Sequence, residues 1–248
     1  MSAPPKTAPK TAPKMAMVMA AGLGTRMRPL TNDKPKVLIE VAGRTLIDHT
    51  LDRLVEGGVE TAVINVHAFA DQVEAHLAKR TDLRILISNE RMRLLETGGG
   101  VKKARAMLGE GPIVVANSDY VWTGEAQPLL DQLAEVFDPS RMDAVVAVVP
   151  KERTLGFETP GDFFAAPGGV LTRRGDAAEA PFHVFGVQII DPQPLYADPR
   201  EAFSIRDAWF ASAAAGRLIG VVPEGLWMQV GDPAAIKLAE AHLPPAGR

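Results

Sequence analysis

The sequence predicts a layered α/β domain whose sheet is largely parallel. Short apolar runs that suit buried strands alternate with longer stretches that carry apolar residues at helical spacing. This alternation is typical of strand-helix-strand units, in which consecutive strands run parallel. With 248 residues, the chain is long enough to bury a sizeable core. In sheets of this kind ligands bind beyond the carboxyl ends of the strands, so the loops after the strands are where a site is expected.

The predicted elements follow one another in a regular order. The first half contains strands at 15–21, 61–66, 83–87 and 112–116, and helices at 45–56, 70–79 and 99–108. The second half contains helices at 129–136 and 234–242, a loop-rich segment at 154–164, strands at 143–149, 182–190 and 217–222, and a helix with Ser204 as its N-cap. The regular alternation ends near residue 120, where the architecture changes.

Composition and charge exclude several classes of protein. The net charge of −3 gives no support for nucleic acid or an anionic membrane as a partner. The absence of cysteine excludes disulfides, zinc thiolate sites and a cysteine nucleophile. No apolar run approaches the ~20 residues that span a bilayer, and no hydrophobic segment follows the N-terminal lysines as it would in a secretory signal. We therefore expect a cytoplasmic protein without nucleic-acid or membrane partners.

The chain is predicted to form one domain between two tails. Residues 1–14 repeat the unit Lys-Thr-Ala-Pro and contain nothing that buries apolar surface, so we expect them to be disordered. The predicted domain spans residues 15–243, and residues 244–248 form a short C-terminal tail.

The first candidate site is the loop after the first strand. Its sequence, Gly22-Leu23-Gly24-Thr25-Arg26, has two glycines that allow backbone N–H groups to approach phosphate oxygens closely. Arg26 and Arg28 supply fixed positive charge, and Lys36 supplies a mobile one. Met27 occupies the place of the third glycine in G-x-G-x-x-G, and no stretch matches the P-loop pattern. A surface turn with incidental charges is the simpler alternative to a site for a nucleoside triphosphate.

Two further motifs follow later strands. The run Glu96-Thr97-Gly98-Gly99-Gly100 exposes N–H groups before a helix and offers a surface that a flat base approaches closely. A flexible loop with Thr97 as N-cap explains this run equally well. Asp119 follows the strand at 112–116, and Mg²⁺ prefers oxygen ligands and often takes only one or two protein carboxylates. An aspartate that caps the following turn is the alternative.

The longer pattern G-x-G-T-R-x-R-P-L-T, followed by Pro35-Lys36, resembles the signature of the sugar-phosphate nucleotidyltransferases. These enzymes join a nucleoside triphosphate to a sugar 1-phosphate and release pyrophosphate. The form Glu-Thr-Gly-Gly-Gly is most similar to the N-acetylmuramate-1-phosphate uridylyltransferases of peptidoglycan recycling. The resemblance covers residues 15–243 and implies a single Rossmann-like domain in three α/β/α layers, with a mixed, mostly parallel sheet. It also implies Mg²⁺ as the cofactor.

The resemblance implies roles for individual residues. Arg26 and Lys36 are expected to be catalytic, with Arg26 on the β- and γ-phosphates and Lys36 at the α-phosphate, and Asp119 is expected to bind the metal. Nucleotide binding is expected at Ala20, Ala21, Gly22, Gly24, Thr25, Arg26, Glu96, Gly98, Gly99 and Asn117. Sugar binding is expected at Asp162, His183 and Gly186, although a lone histidine in a strand is more often a core residue.

The chain departs from the family pattern at the second metal ligand. The family motif Trp-x-Asp-Val-Gly-Thr-Pro aligns with residues 227–233, which places Gln229 at the aspartate and Asp232 at the threonine. An amide is a poorer ligand for a hard cation than a carboxylate. Three options stay open: Gln229 ligates weakly, Asp232 substitutes, or the metal rests on Asp119, triphosphate and water. Asp232 before Pro233 also suits an ordinary N-cap with proline at the first helical position.

Three functional hypotheses follow. The leading one is a uridylyltransferase that uses UTP and N-acetylmuramate 1-phosphate. The second is a guanylyl- or other nucleotidyltransferase that acts on mannose- or heptose-type 1-phosphates. The third is a regulatory subunit that binds a nucleotide sugar without catalysis, and its motive is the missing carboxylate at Gln229.

Overall fold

The structure is a computed structural model that describes residues 11–244, without the side chains of residues 126 and 127. The strands are β1 (Met15–Met19), β2 (Glu40–Val41), β3 (Arg44–Thr45), β4 (Thr61–Val66), β5 (Arg84–Asn89), β6 (Ile113–Asn117), β7 (Tyr120–Trp122), β8 (Ala144–Pro150), β9 (Thr154–Leu155), β10 (Phe163–Ala165), β11 (Leu171–Arg173), β12 (Phe182–Ile190), β13 (Leu218–Val221) and β14 (Trp227–Gln229). The helices are α1 (Leu46–Glu56), α2 (Ala70–Leu77), α3 (Glu96–Lys103), α4 (Arg105–Leu108), α5 (Ala126–Val136), α6 (Gln193–Ala197), α7 (Ile205–Ala214) and α8 (Pro233–Glu240). None of these helices is long and apolar enough to cross a membrane.

The central sheet is mixed and mostly parallel, as the sequence predicts. Its main path runs β5-β4-β1-β6-β12-β8-β13, and β10 with β11 extends from the start of β12. β1 pairs in parallel with β4 and β6, β4 pairs in parallel with β5, and β8 with β13. β12 is antiparallel to both β6 and β8. The carboxyl ends of β1, β4, β5 and β6 therefore lie along one edge of the sheet.

Helices cover both faces of this sheet, which confirms the three-layer prediction. Ala16 and Val18 of β1 pack in a core shared with α1, α2 and α5. Met17, between them in sequence, packs in the other core with α3, α4, α6 and α7. Successive side chains of a strand point to opposite faces, so a strand buried on both sides has the nearly continuous apolar sequence seen in Met15–Met19.

A third, smaller core supports the chain that follows the glycine loop. Met27 and Ile39 pack there with Met228 of β14 and Ala235 of α8. The three-stranded sheet β7-β14-β9 borders this core. The glycine loop, the end of β6 and the segment around Gln229 are consequently held in fixed relation to one another.

Two sequence predictions need correction in the described region. The predicted tail reaches residue 14, yet Ala12 is buried and the Lys14 carbonyl accepts hydrogen bonds from the N–H groups of Glu60 and Thr61. Residues 1–10 and 245–248 of the predicted tails lie outside the described residues. α3 begins at Glu96 rather than at residue 99, because the glycines of the motif are themselves helical.

Candidate active site

Two cavities adjoin at the carboxyl ends of the parallel strands. The larger cavity has a volume of about 440 Å³ and the smaller one about 230 Å³. Thr97, Asn117 and Ser204 line both cavities, so together they form a common wall. Of the predicted site residues, the larger cavity is lined by Ala21, Gly22, Gly24, Thr25, Arg26, Lys36, Glu96, Asn117 and Asp119. The smaller cavity is lined by Asp162, Gly186 and Gln229 in addition to Asn117.

Lys36 and Asp119 form an ion pair on the wall of the larger cavity. The Lys36 Nζ lies 2.6 Å from the Asp119 Oδ2, and the two side chains are 12% and 24% exposed. Asp119 is held from two sides, because its carbonyl accepts the Val230 N–H at 2.8 Å and the preceding Ser118 donates its Oγ–H to the Met19 carbonyl at 2.5 Å. Ser118 therefore ties the metal-ligand candidate to the end of β1.

The glycine loop approaches this ion pair closely. Gly24 has φ +61°, and a Cβ built on it would lie 2.8 Å from the Cβ of Lys36. Both the left-handed backbone and the contact require glycine here. The Gly24 carbonyl accepts a hydrogen bond from the Thr31 hydroxyl at 2.8 Å, which fixes the turn. Gly22 has nothing within 4 Å of its Cβ position, so it faces the open cavity.

Arg26 lies at the mouth of the larger cavity with an exposed side chain. Its guanidinium is 3.6 Å from the Glu158 carboxylate and lies against Gly231, where a Cβ would be 3.4 Å from the nearest guanidinium nitrogen. An exposed ion pair of this kind contributes little to stability. The guanidinium is therefore available to an anionic ligand in the cavity.

A buried polar network that the sequence did not predict lies beneath the larger cavity. Asn65, at the end of β4, accepts the Ala20 N–H at 2.7 Å and donates to the Glu90 carboxylate at 2.9 Å. Glu90 is fully buried, and its second oxygen accepts the Leu95 N–H at 3.2 Å. Ala20 thus has its N–H committed to Asn65 and supports the loop from behind. Polar residues at the ends of neighbouring strands were the signal that could have revealed the network.

Gly98 and Gly99 do not contact the larger cavity, contrary to the prediction. Both are buried, and their N–H groups donate to the Phe203 carbonyl at 2.9 and 3.1 Å. Cβ atoms at these two positions would clash with Phe203 and with the Glu201 carbonyl oxygen. The glycines are needed so that α3 can pack against the segment before α7.

The residues flanking that glycine pair have different surroundings. Thr97 is not the N-cap of α3, and its hydroxyl instead accepts the Ile205 N–H at 2.9 Å. Glu96 lines the larger cavity with φ +60°, a conformation that non-glycine residues rarely adopt. Backbone strain of this kind persists where the surrounding structure imposes it, often at functional sites. Glu96 and Thr97 are thus the members of the motif that line the larger cavity.

The smaller cavity contains the predicted sugar-binding residues except His183. His183 is buried behind the cavity wall, where its ring packs on Phe157 and its Nδ1 lies 3.1 Å from the Thr159 hydroxyl. Burial raises the pKa of Asp162, but the neighbouring His183 and the Val184 N–H at 3.0 Å outweigh this effect and hold the pKa below its ordinary value. Asp162 is therefore a carboxylate at neutral pH, and His183 supports it from behind.

Gly186 allows β12 to approach the end of β6. β12 has an irregularity between Val184 and Gln188, and a Cβ on Gly186 would lie 2.6 Å from the Asn117 Nδ2. Bulges of this kind re-aim a strand next to functional sites. The close approach places the Asn117 side chain on the wall common to both cavities.

The two candidates for a second metal ligand have other partners. Asp232 is the N-cap of α8, and its Oδ1 accepts the N–H groups of Ala234 and Ala235 at 2.8 and 3.0 Å. It lines neither cavity, so the geometry gives no support to the option that Asp232 substitutes for the missing ligand. Gln229 lines the smaller cavity and donates to the Tyr120 hydroxyl at 3.2 Å. The capping role of Asp232, expected from the following proline, is observed.

The donor set suits Mg²⁺ that is shared with a ligand. Between residues 11 and 244, no group of three or more His, Asp or Glu side chains could hold a metal ion. The Asp119 carboxylate nevertheless lines the larger cavity and is partly accessible. Mg²⁺ is often bound through one or two carboxylates, with water and substrate phosphates as the remaining ligands. The residues therefore fit a metal ion that binds together with a triphosphate.

Comparisons with known proteins agree with this arrangement. The sequence profile of the family described as Nucleotidyl transferase matches residues 15–157. An N-acetylmuramate alpha-1-phosphate uridylyltransferase from Caulobacter vibrioides is 55% identical over 91% of this chain and 95% of that protein. A mannose-1-phosphate guanylyltransferase catalytic subunit beta from Dictyostelium discoideum is 28% identical over 87% of this chain and 60% of that protein. The solved inositol-1-phosphate CTP transferase from T. maritima has a similar fold, with a TM-score of 0.75 at 16% identity over 93% of this chain and 95% of that chain. The profile and the Caulobacter relative show that this chain belongs to the nucleotidyl transferase family.

Proposed function

We propose that the protein joins UTP and N-acetylmuramate 1-phosphate to form UDP-N-acetylmuramate and pyrophosphate, as a step of peptidoglycan recycling in the cytoplasm. The observation that carries the proposal is the 55% identity to a uridylyltransferase of that name over almost the full length of both chains. Two adjoining cavities with a common wall support it, because the reaction brings two phosphorylated substrates together. The proposed partners are these two small molecules, without nucleic acid or membrane.

The reaction needs alignment and charge neutralisation rather than a base. An oxygen of the sugar 1-phosphate attacks the α-phosphorus of UTP, a new P–O bond forms, and the bond between the α-phosphorus and the bridging oxygen breaks to release pyrophosphate. A phosphate monoester is already ionised, so no proton has to be removed from the nucleophile. Holding both substrates in line and stabilising the charge at the α-phosphate supply the rate enhancement.

We assign the triphosphate to the larger cavity. Lys36 would stabilise charge at the α-phosphate. The ion pair with Asp119 keeps the Lys36 ammonium group on the cavity wall. Arg26 would hold the β- and γ-phosphates from the mouth, while Gly22, Gly24 and Thr25 would offer backbone N–H groups. Mg²⁺ on Asp119 would neutralise phosphate charge. Ala21 and Glu96 would border the nucleoside.

We assign the sugar to the smaller cavity. The Asp162 carboxylate would accept hydrogen bonds from sugar hydroxyl groups, and the backbone of Gly186 would border the ring. Asn117 lines both cavities and would contact both substrates where they meet. His183 would act as a positioning residue that holds Asp162.

The deciding experiment measures pyrophosphate release with Mg²⁺ for each pairing of a nucleotide with a sugar 1-phosphate. The nucleotides are UTP, GTP, CTP and dTTP, and the sugars are the 1-phosphates of N-acetylmuramate, N-acetylglucosamine and mannose. Turnover with UTP and N-acetylmuramate 1-phosphate above all other pairs is the expected result. Preference for GTP and mannose 1-phosphate would replace the substrates with those named for the Dictyostelium relative. Nucleotide binding without turnover for any pair would favour the regulatory alternative.

A further inference from the structure

The smaller cavity is lined by a cation, Arg206, that forms no ion pair with any residue the structure describes. Arg206 lies in the first turn of α7 and lines this cavity with an exposed side chain. Within residues 11–244, no carboxylate oxygen lies within 4.0 Å of its guanidinium nitrogens. Its guanidinium lies 5.6 Å from the ring centroid of Phe210, one turn later in α7. The ring orients the side chain and leaves its charge unneutralised.

Among the described residues, Asp162 is the other charged side chain that lines the smaller cavity, and it already has partners. Asp162 accepts the Val184 N–H at 3.0 Å and has His183 Nδ1 at 3.8 Å. The charge of Arg206 nevertheless acts inside the cavity. Burial raises the pKa of Asp162, the contacts with His183 and Val184 lower it, and Arg206 lowers it further by a smaller amount. An unpaired guanidinium at the end of a mostly apolar and hydroxyl-lined cavity is suited to an anionic group on the ligand.

The reacting phosphates are not the partners of this cation, because the cations assigned to them line the other cavity. Arg26 and Lys36 line the larger cavity, whereas Arg206 lines only the smaller one. Thr97, Asn117 and Ser204 form the wall between them. The anion that Arg206 would meet therefore belongs to the part of the sugar remote from C1.

We propose that Arg206 is a specificity-determining residue that binds the carboxylate of the lactyl ether in N-acetylmuramate 1-phosphate. This inference rests on the proposed function. The lactyl carboxylate is the group that distinguishes N-acetylmuramate from N-acetylglucosamine, and neutral sugars such as mannose have no counterpart to it. A planar guanidinium donates two parallel hydrogen bonds to a carboxylate, so Arg206 selects the acidic sugar over its neutral relatives.

The test compares kinetic constants of the wild type with those of Arg206→Gln and Arg206→Lys, using UTP with N-acetylmuramate 1-phosphate and with N-acetylglucosamine 1-phosphate. Loss of a hydrogen bond to a charged group corresponds to a decrease of about 10- to 100-fold in affinity. We expect Arg206→Gln to raise the KM for N-acetylmuramate 1-phosphate by that factor. The KM for UTP and the constants for N-acetylglucosamine 1-phosphate should change less than about twofold. Arg206→Lys should recover part of the loss, because it keeps the charge but not the planar fork.

Arg173→Gln is the matched control. Arg173 is also an exposed arginine against Phe210, with its guanidinium 4.0 Å from the ring centroid, but it does not line the smaller cavity. Its variant should retain wild-type constants for both sugars. An equal rise of KM for both sugars in Arg206→Gln would assign the residue to the phosphate and overturn the inference. Unchanged constants in Arg206→Gln would overturn it as well, while a wild type that rejects N-acetylmuramate 1-phosphate would refute the proposed function first.

Discussion

Replacing Gly99 by alanine tests whether the glycine motif serves packing or base binding. A Cβ at this position would lie well under 3.0 Å from the carbonyl oxygen of Glu201 and 3.1 Å from the Cβ of Leu95. A backbone oxygen cannot rotate away as a flexible side chain can. The segment 201–203 therefore has to move away from α3, and this movement weakens the hydrogen bonds that Gly98 and Gly99 donate to the Phe203 carbonyl.

The expected loss of stability follows from three contributions. Overpacking at a close contact costs about 1–3 kcal/mol, and the weakened hydrogen bonds add about 1 kcal/mol. Alanine in place of glycine inside α3 offsets this loss by up to ~1 kcal/mol through its higher helix propensity. We expect a net decrease of about 2 kcal/mol in the free energy of unfolding. For a domain of this size that corresponds to a fall in Tm of about 4–8 °C.

The assay is thermal unfolding followed by circular dichroism, paired with the KM for UTP. Gly22→Ala is the matched control, because nothing lies within 4 Å of its Cβ position although the residue lines the larger cavity. We expect its Tm to change by less than about 2 °C, since surface substitutions usually alter stability by no more than ~0.5 kcal/mol. Its KM for UTP should rise, because the added methyl group enters the space assigned to the triphosphate.

The opposite pattern would refute this reasoning. If Gly99→Ala kept the wild-type Tm and raised the KM for UTP several-fold, the glycine would contact the nucleotide as the sequence predicts. The packing of Gly99 against Glu201 would then not describe the working enzyme.

Three further predictions concern the site. Lys36→Ala and Asp119→Ala should each lower turnover by at least about tenfold, with an unchanged far-UV circular dichroism spectrum. Near-normal turnover in either variant would remove that residue from the mechanism. Asn65→Ala should lower the free energy of unfolding by about 2–3 kcal/mol in urea titrations, because it removes the donor to the buried Glu90 Oε1 and the acceptor of the Ala20 N–H. A loss below about 0.5 kcal/mol would contradict the network. Asp162 has a lowered pKa, so its charge stabilises the fold above its unfolded pKa of about 3.9 and this contribution is lost as the pH falls through the folded value. The Tm difference between wild type and Asp162→Asn should therefore shrink from pH 6 to pH 3. A constant difference would show that the charge of Asp162 does not stabilise the fold.

Local sequence patterns were sufficient for the strands along the main path of the sheet, but not for β10 and β11. The predicted strands 61–66 and 182–190 have the observed bounds, because each is an apolar run long enough to be buried and bounded by polar or turn residues. The glycine loop was also predictable, since Gly24 meets Lys36, a neighbour in the same motif. Features that depend only on residues close in sequence can be predicted without knowledge of the fold.

The features that could not be predicted from the sequence depend on contacts between segments that are distant along the chain. Gly98 and Gly99 face the chain around residue 203, and a glycine pattern alone does not say which surface it approaches. The hydrogen bond between Asn65 and Glu90 can be recognised only when the strand order β1-β4-β5 is known. Neither contact can be inferred locally, because a polar or glycine residue near the end of a strand is consistent with a turn as well as with a site.

The packing role of the glycines is itself connected to the candidate site. Their N–H groups hold the Phe203 carbonyl and the Thr97 hydroxyl holds the Ile205 N–H, so the start of α3 is bonded on both sides of Ser204. Thr97 and Ser204 form part of the wall between the two cavities, and Arg206 follows in the first turn of α7. A shift of the 201–203 segment would thus displace the wall and the proposed sugar-recognising cation together. It follows that Gly99→Ala should raise the KM for the sugar 1-phosphate more than the KM for UTP, which connects a buried glycine to sugar recognition through backbone contacts alone.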